Sequence, residues 1–226
     1  MRILFLNCAN RKHINEIKDY LFSNSIDVAI LADSNCISKM PIEDYPFKFV
    51  SENRFGLFIL SKIDFLVESL KYTIDDNRIG IDPDKHKDRV INIKLENNFN
   101  ILSAYVDYGW YNTFAMRCIE DYVESNNVDM IVGDFNSGYI DDNLDLNTGG
   151  IVFQNGFLFF TRYEKLGYFD PYKGTNTFTH INQAKKRRFR LDHCFIKDKN
   201  IRVNHVDEFL ENGISDHKGL LMEITF

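Results

Sequence analysis

Apolar runs of strand length recur from one end of the chain to the other: RILFLN, DVAILA, FGLFILS, RVINIKL, NILSAYV, DMIVGD, RLDHCFI and GLLMEITF. Several are apolar at successive positions rather than alternate ones, the pattern of sheet strands buried on both faces. Two stretches carry helical spacing instead. Within residues 11–25, Ile14, Ile17 and Leu21 fall on one helical face; within 112–127, Ala115, Ile119, Tyr122 and Val123 do the same. A weaker helical pattern spans 153–165. Strand, helix, strand opens the chain (1–7, 11–25, 27–32) and recurs around residue 120. Short connections between the strands in between predict antiparallel pairing. The fold class that follows is mixed α/β.

Composition bounds the setting. The 226 residues suit one domain spanning 1–226, and 44% hydrophobic content with 20 Phe and 11 Tyr supplies a sizeable core. There is no repeat, no low-complexity segment and no Pro-rich linker. The apolar stretch near the N-terminus is too short for a signal-peptide core, and no other run approaches membrane length. Cys8, Cys36, Cys118 and Cys194 are widely spaced with no C-x-x-C pair, which argues against a zinc site and a disulfide framework. A cytoplasmic protein with reduced thiols is the expectation. The net charge of −6 is not that of a generic nucleic-acid binder, although local patches outweigh the total. One such patch is KKRRF, Lys185 to Phe189, followed by Arg190. It suits a solvated loop and a polyanion contact equally.

Three apolar runs finish alike. RILFL ends at Asn7, DVAILA at Asp33, and DMIVG at Asp134, Phe135 and Asn136. Asp and Asn are turn residues, so each alone reads as a loop end. Three together place amide and carboxylate oxygens beyond the carboxyl ends of strands, where open α/β sheets form their sites. In RFRLDHCF the strand period puts Arg190, Asp192 and Cys194 on one face. That pairing suits a structural ion pair, or a phosphate contact beside a carboxylate that orients a histidine. SDHKGL sets Asp216 and His217 before the final strand. Hard oxygen donors select Mg2+, Mn2+ or Ca2+ over zinc. A dication with a histidine and an arginine suits phosphoester hydrolysis.

The order of these motifs resembles the endonuclease/exonuclease/phosphatase superfamily, the group of deoxyribonuclease I and exonuclease III, along the whole chain. FLNCAN resembles its first strand with the conserved Asn, DVAILADSN the strand with a metal-binding acid, and RFGLFILSK its leucine–Ser strand. LSAYV resembles the strand bearing a catalytic Tyr or His, VGDFNS the Gly-Asp-x-Asn motif, FTH a Thr-centred stretch, RLDHCF the Arg-x-Asp-Tyr strand and SDHKGL the Ser-Asp-His motif. The resemblance implies a four-layer α/β sandwich, two mixed sheets packed face to face and flanked by helices. It implies that Asn7 and Asp33, with Asp216, hold Mg2+ or Mn2+. Asp134 would deprotonate or position the attacking water, and Asn136 would orient it. His217 paired with Asp192 would stabilise the transition state or act as acid or base, and Tyr105 would contact the phosphate. Thr179, Arg188 and Arg190 are candidate substrate contacts.

Departures from the family pattern are specific. The metal-binding acid is usually Glu and here is Asp33, one methylene shorter, with Asn35 nearby. AYVDYG lacks a Pro, FTH lacks a Trp, and Gly219 stands where Pro is common. The expectation is a metal-dependent phosphodiesterase on nucleic acid, DNA before RNA, with no membrane partner. A phosphatase or phosphodiesterase on a small or lipid-linked phosphoester and a non-catalytic binding homologue are the alternatives. Tyr108, Trp110 and Tyr111 suit either a substrate groove or packing. No chemical role is assigned to His13, His86, His180, His193 or His205.

Overall fold

A computed structural model of the chain describes residues 1–10, 12–34, 43–53, 55–72, 86–106, 112–139, 155–182, 184 and 187–226. In chain order the elements are β1 (Arg2–Asn7), α1 (Ile14–Ser23), β2 (Val28–Ala32), β3 (Phe47–Val50), β4 (Phe58–Ser61), β5 (Phe65–Ser69), β6 (Val90–Leu95), β7 (Asn100–Tyr105), α2 (Asn112–Ser125), β8 (Met130–Asp134), α3 (Asn155–Lys165), β9 (His180–Asn182), β10 (Arg187–Phe189), β11 (Asp192–Ile196), β12 (Arg202–Val206), α4 (Glu208–Glu211) and β13 (Gly219–Glu223). They form a six-stranded sheet, β12-β13-β1-β2-β4-β3, a five-stranded sheet, β11-β8-β7-β6-β5, and a two-stranded ribbon, β10-β9.

Both sheets are mixed for a local reason. A helix between two strands carries the chain back to the same end, so β1–α1–β2 and β7–α2–β8 are parallel pairs. The short links of β5–β6–β7 give antiparallel ones. Three apolar clusters divide the molecule into layers. Ile3, Phe5, Val28, Ile30 and Ile59 from one sheet meet Ile91, Ile93, Ile101, Met130, Val132 and Ile196 from the other. Leu4, Leu6, Ala29 and Leu31 on the opposite face of the first sheet pack on Ile17 and Leu21 of α1 and on Phe209 of α4. Leu102, Ala104, Ile131 and Phe195 on the outer face of the second sheet pack on Ala115, Met116 and Ile119 of α2 and Phe160 and Tyr163 of α3. The expected four-layer sandwich, helices–sheet–sheet–helices, is therefore present. Each fully buried Ile, Leu or Phe in these layers contributes about 1.5–3 kcal/mol relative to exposure.

Strand alternation decides which polar ends point between the sheets. Asn7 continues the parity of Ile3 and Phe5, Asp134 that of Met130 and Val132, and Asp192 that of Cys194 and Ile196, all residues of the inter-sheet cluster. In β2 the inward residues are Val28, Ile30 and Ala32, so Asp33 falls on the opposite parity, and its backbone breaks the strand at φ 46°. Two sequence expectations change here. The three polar ends do not belong to neighbouring strands of one open sheet: β1 and β2 lie in one sheet and β8 in the other, and Asn7 meets Asp134 across the sandwich. Arg190 does not share a face with Asp192 either. It precedes β11, outside the strand period, and turns with His193 to Asp170.

The strands that the sequence conceals have a common cause. β3, β5 and β12 are sheet edges, and β9 and β10 form an isolated ribbon. Edges with one wet face, such as FKFV and FLVES, carry no continuous apolar run; Leu66 in β5 is 74% exposed. No disulfide links the described cysteines Cys8, Cys118 and Cys194. No helix among the described residues is long and apolar enough to cross a membrane.

Candidate active site

The site lies where β1, β8, β11 and the turn before β13 end together. Gly133 allows it: a Cβ there would collide with the carbonyl oxygen of Ala104 on the adjoining strand, so β8 can press against β7 only with glycine at this position. Asp134 follows, 1% exposed, directly opposite Asp192 in the antiparallel ladder. Its Oδ2 accepts a 2.8 Å hydrogen bond from Nδ2 of Asn7, and its Oδ1 accepts the backbone N–H of Asn136 at 2.9 Å. Asn7 in turn accepts the N–H of Ala9 on its Oδ1. The side-chain amide of Asn136 is anchored by one N–H on the carbonyl of Val106. Ala9, Asn10, Asp33 and Asn136 all have φ between 45° and 51°. Left-handed backbone on non-glycine residues is costly, and here it gathers at the ends of β1, β2 and β8.

His217 completes the cluster. Its Nδ1–H donates to Oδ2 of Asp192 at 2.8 Å, and its Nε2 lies 3.9 Å from Oδ1 of Asp216. Ser215 holds this turn down: its hydroxyl donates to the carbonyl of Asn7 and accepts the N–H of His217. Thr179 sits beneath Asp192. It is fully buried, and its hydroxyl oxygen accepts the N–H groups of Leu191 and Asp192, both at 3.0 Å.

Burial and charge tune the two central groups in the same direction. Burial raises the Asp134 carboxyl, the neighbouring Asp192 carboxylate raises it further, and His217, the Asn136 N–H and the Asn7 amide only partly offset them, so it is pushed up to about 7. Burial alone would lower His217; Asp192, by charge and hydrogen bond, with Asp134 and Asp216, outweighs it and raises the imidazole to about 9. His180, whose ring lies 4.6 Å from that of His217, goes the other way, to about 4, through burial and then the His217 charge.

The donor set fits a dication. Ligand atoms of Asp134, Asp192 and His217 lie within 4.8 Å of one another, as do those of His180, Asp216 and His217. Oδ1 of Asp192 and Oδ1 of Asp216 are buried and accept no hydrogen bond from the described residues, so their lone pairs point to a ligand with positive charge.

Of the residues singled out in the sequence, Asn7, Asp134, Asp192, Asp216 and His217 lie together, with Asn136 alongside and Thr179 beneath Asp192. Tyr105 ends β7 in register with Asp134, half-buried, with the Arg89 guanidinium 5.5 Å from its ring centre. Asp33 belongs to neither compact cluster among the described residues. Arg190 is 1% exposed and engaged with Asp170, the carbonyl of Tyr172 and His193, a placement that keeps it from a substrate. Arg188 is exposed on β10, 4.9 Å from the ring of Phe178. Asn35, Tyr108, Trp110, Tyr111, Lys185 and Lys186 lie outside the described residues. Sequence reasoning passes over His180, because the bridge that sets β9 beside His217 has no local signature. A cavity of about 850 Å3 between α2 and the end of β5 contains none of the predicted site residues.

No protein-family model and no curated protein matches the chain. Solved structures do. A 3'-5' exonuclease (NExo) from Neisseria meningitidis is 16% identical with a TM-score of 0.72, covering all of both chains. The 3' phosphatase NExo from Neisseria, bound to a product DNA hairpin, is 16% identical with a TM-score of 0.71, again over both whole chains. An AP endonuclease from Archaeoglobus fulgidus is 14% identical with a TM-score of 0.70 over both whole chains. Identity this low speaks for architecture alone, and this chain shares the fold of these solved exonuclease, phosphatase and AP endonuclease structures.

Proposed function

We propose that the protein is a divalent-metal-dependent phosphodiesterase that hydrolyses nucleic acid, with DNA as the substrate. The observation that carries this reading is the buried triad of Asp134, Asp192 and His217, in which one carboxylate holds the imidazole and the other faces the same space. Asp216, Asn7 and Asp33 are the proposed ligands of Mg2+ or Mn2+. A dication bound there supplies neutralisation of phosphate charge and a water of lowered pKa.

The chain's own residues supply the rest. Asp134, raised towards neutrality, is a stronger base than an ordinary carboxylate and takes the proton of the attacking water. The side-chain amide of Asn136, anchored by one N–H on the Val106 carbonyl, orients that water. The Nδ1–H of His217 is held by Asp192, so its Nε2–H donates to a phosphoryl oxygen as charge develops. Thr179 fixes Asp192 through two backbone N–H groups, and so fixes the imidazole at one remove. Tyr105, at the rim, contacts the phosphate. Arg188, exposed over the ring of Phe178, gives this edge positive charge that a polyanion seeks, whereas Lys218 over the same ring is paired with Asp207. DNA is favoured because similar folds include an AP endonuclease and a phosphatase bound to a DNA hairpin.

The test is cleavage of labelled duplex, single-stranded and abasic DNA, RNA and a chromogenic phosphodiester with Mg2+, Mn2+ or EDTA, beside Asp134→Ala. Metal-dependent cutting of DNA that the variant loses is the expected result. Cutting that survives EDTA or Asp134→Ala overturns the mechanism, and activity on the chromogenic diester alone overturns the nucleic-acid substrate.

A further inference from the structure

His180 has no role in that mechanism, yet it is placed as a ligand. Residues 179–181 run beside the turn before β13, with His180 bridged to His217 through the backbone. The N–H of Ile181 donates to the carbonyl of Asp216, and the N–H of Lys218 to that of Thr179. These contacts set two imidazoles against one carboxylate. Nε2 of His180 lies 3.8 Å from Oδ2 of Asp216, and Nε2 of His217 lies 3.9 Å from Oδ1 of the same residue. Each nitrogen thus faces its own oxygen at a distance too long for a hydrogen bond.

A histidine buried for packing normally satisfies its nitrogens. Nδ1 of His180 is buried and bonds no described residue, and Nε2 has only the distant Asp216. Oδ1 of Asp216 is likewise buried and accepts no hydrogen bond from the described residues. His217 is already oriented for ligation, because its Nδ1–H is committed to Asp192 and its Nε2 is turned to Asp216, the carboxylate–histidine arrangement that supports a metal-binding imidazole. Ligands about 2.0–2.2 Å from a tetrahedral dication lie about 3.4 Å apart, and one donor atom from each of these residues already lies within 4.8 Å of the others, so side-chain adjustment closes the group around an ion.

We propose that His180, Asp216 and His217 form a second dication site, suited to an imidazole-seeking first-row metal such as Zn2+ and sharing Asp216 with the hard-oxygen cluster. Two nitrogens and one carboxylate favour Zn2+ or Co2+ over Mg2+. The site is inhibitory: Nε2 of His217 cannot carry a proton and ligate a metal at once, so occupancy removes the donor that the hydrolysis uses. That consequence rests on the hydrolase reading, whereas the binding does not.

The experiment measures binding first. Metal-free protein is titrated with Co2+ by visible absorption and with Zn2+ and Mn2+ by calorimetry, for the wild type, His180→Ala and His180→Gln. The glutamine variant keeps the volume if alanine weakens the fold, and thermal melts report on both. The expected result is a fall of roughly tenfold or more in Co2+ and Zn2+ affinity, with Mn2+ affinity unchanged. Equal affinities in wild type and variants, or parallel losses for all three metals, overturn the site. Where DNA cleavage with Mg2+ is observed, Zn2+ inhibition weakens by the same factor in the variants; undiminished inhibition overturns the inhibitory role while leaving the hydrolase reading intact.

Discussion

Asp134 and Asp192 stand opposite each other across the β8–β11 ladder, and a single imidazole, His217, hydrogen-bonds Asp192 while its charge also acts on Asp134. Two buried carboxylates side by side repel, so the pair either takes a cation beside it or keeps a proton on one member. Each member consequently has a separable role, with Asp192 as the anchor of His217 and Asp134 as the open carboxylate.

Asp134→Ala and His217→Ala should each lower hydrolysis by about a hundredfold to ten-thousandfold, the range of a lost general base or acid. Both variants should fold, because the β8–β11 ladder, the Ser215 hydroxyl on the Asn7 carbonyl and the Thr179 hydroxyl beneath Leu191 and Asp192 use neither side chain. Initial rates beside circular dichroism check this, and a fully active Asp134→Ala protein would remove the proposed base.

His217 also gives the metal-free protein a pH signature. Its folded pKa, about 9, lies above the ordinary histidine value of about 6.5, so the folded state holds the proton more tightly. Its stabilising contribution is fully present below about 6.5 and is lost as pH rises through about 9. Melting temperature in EDTA should therefore fall between these limits, and His217→Gln should flatten that part of the curve. A wild-type curve that rises over this window would contradict the assignment.

Much of this arrangement is legible in the sequence. RILFLN, DVAILA and DMIVGD announce strands buried on both faces, and their polar ends announce a site. What stays hidden depends on the third dimension. Nothing local says that Asn7 meets Asp134 across two sheets rather than Asp33 along one. Arg190 resembles a phosphate contact because it ends a basic run in the sequence; its partner Asp170 is 20 positions away. His180 gains its surroundings from a single backbone bridge. Edge strands such as β3 and β5 escape because half of each faces water.

Asp33 is where this chain departs from its resemblance, and the strand explains why. Ala32 takes the inward position, so Asp33 falls on the opposite parity, with a left-handed backbone and a side chain one methylene shorter than Glu. Asp33→Glu restores reach and should keep or raise Mg2+-dependent cleavage while tightening Mg2+ binding. Calorimetry and rates at limiting Mg2+ distinguish the outcomes. Outright loss of activity would mean that the carboxylate at this position serves another purpose.

Behind the site, Asp170, Arg190 and His193 form a buried knot that braces the Asp134 loop. Oδ2 of Asp170 faces Arg190 and Nδ1 of His193, its Oδ1 accepts the N–H of Tyr172, and Nε2–H of His193 donates to the carbonyl of Ser137 at 2.8 Å. Burial alone would raise the Asp170 carboxyl, but the His193 hydrogen bond, the Arg190 charge, the His193 charge and the Tyr172 N–H together hold it below the ordinary range. Asp170→Asn leaves Arg190 buried without its counter-charge and should cost about 3–5 kcal/mol at neutral pH. A depressed carboxyl stabilises the fold above its unfolded value, about 4, and loses that contribution as pH falls through the lower folded value. Chemical denaturation of wild type and variant from pH 7 downwards should therefore show a gap that is widest at neutral pH and narrows below about 4. A gap that is constant, or that widens in acid, would show that Asp170 acts here by its shape and not by its charge.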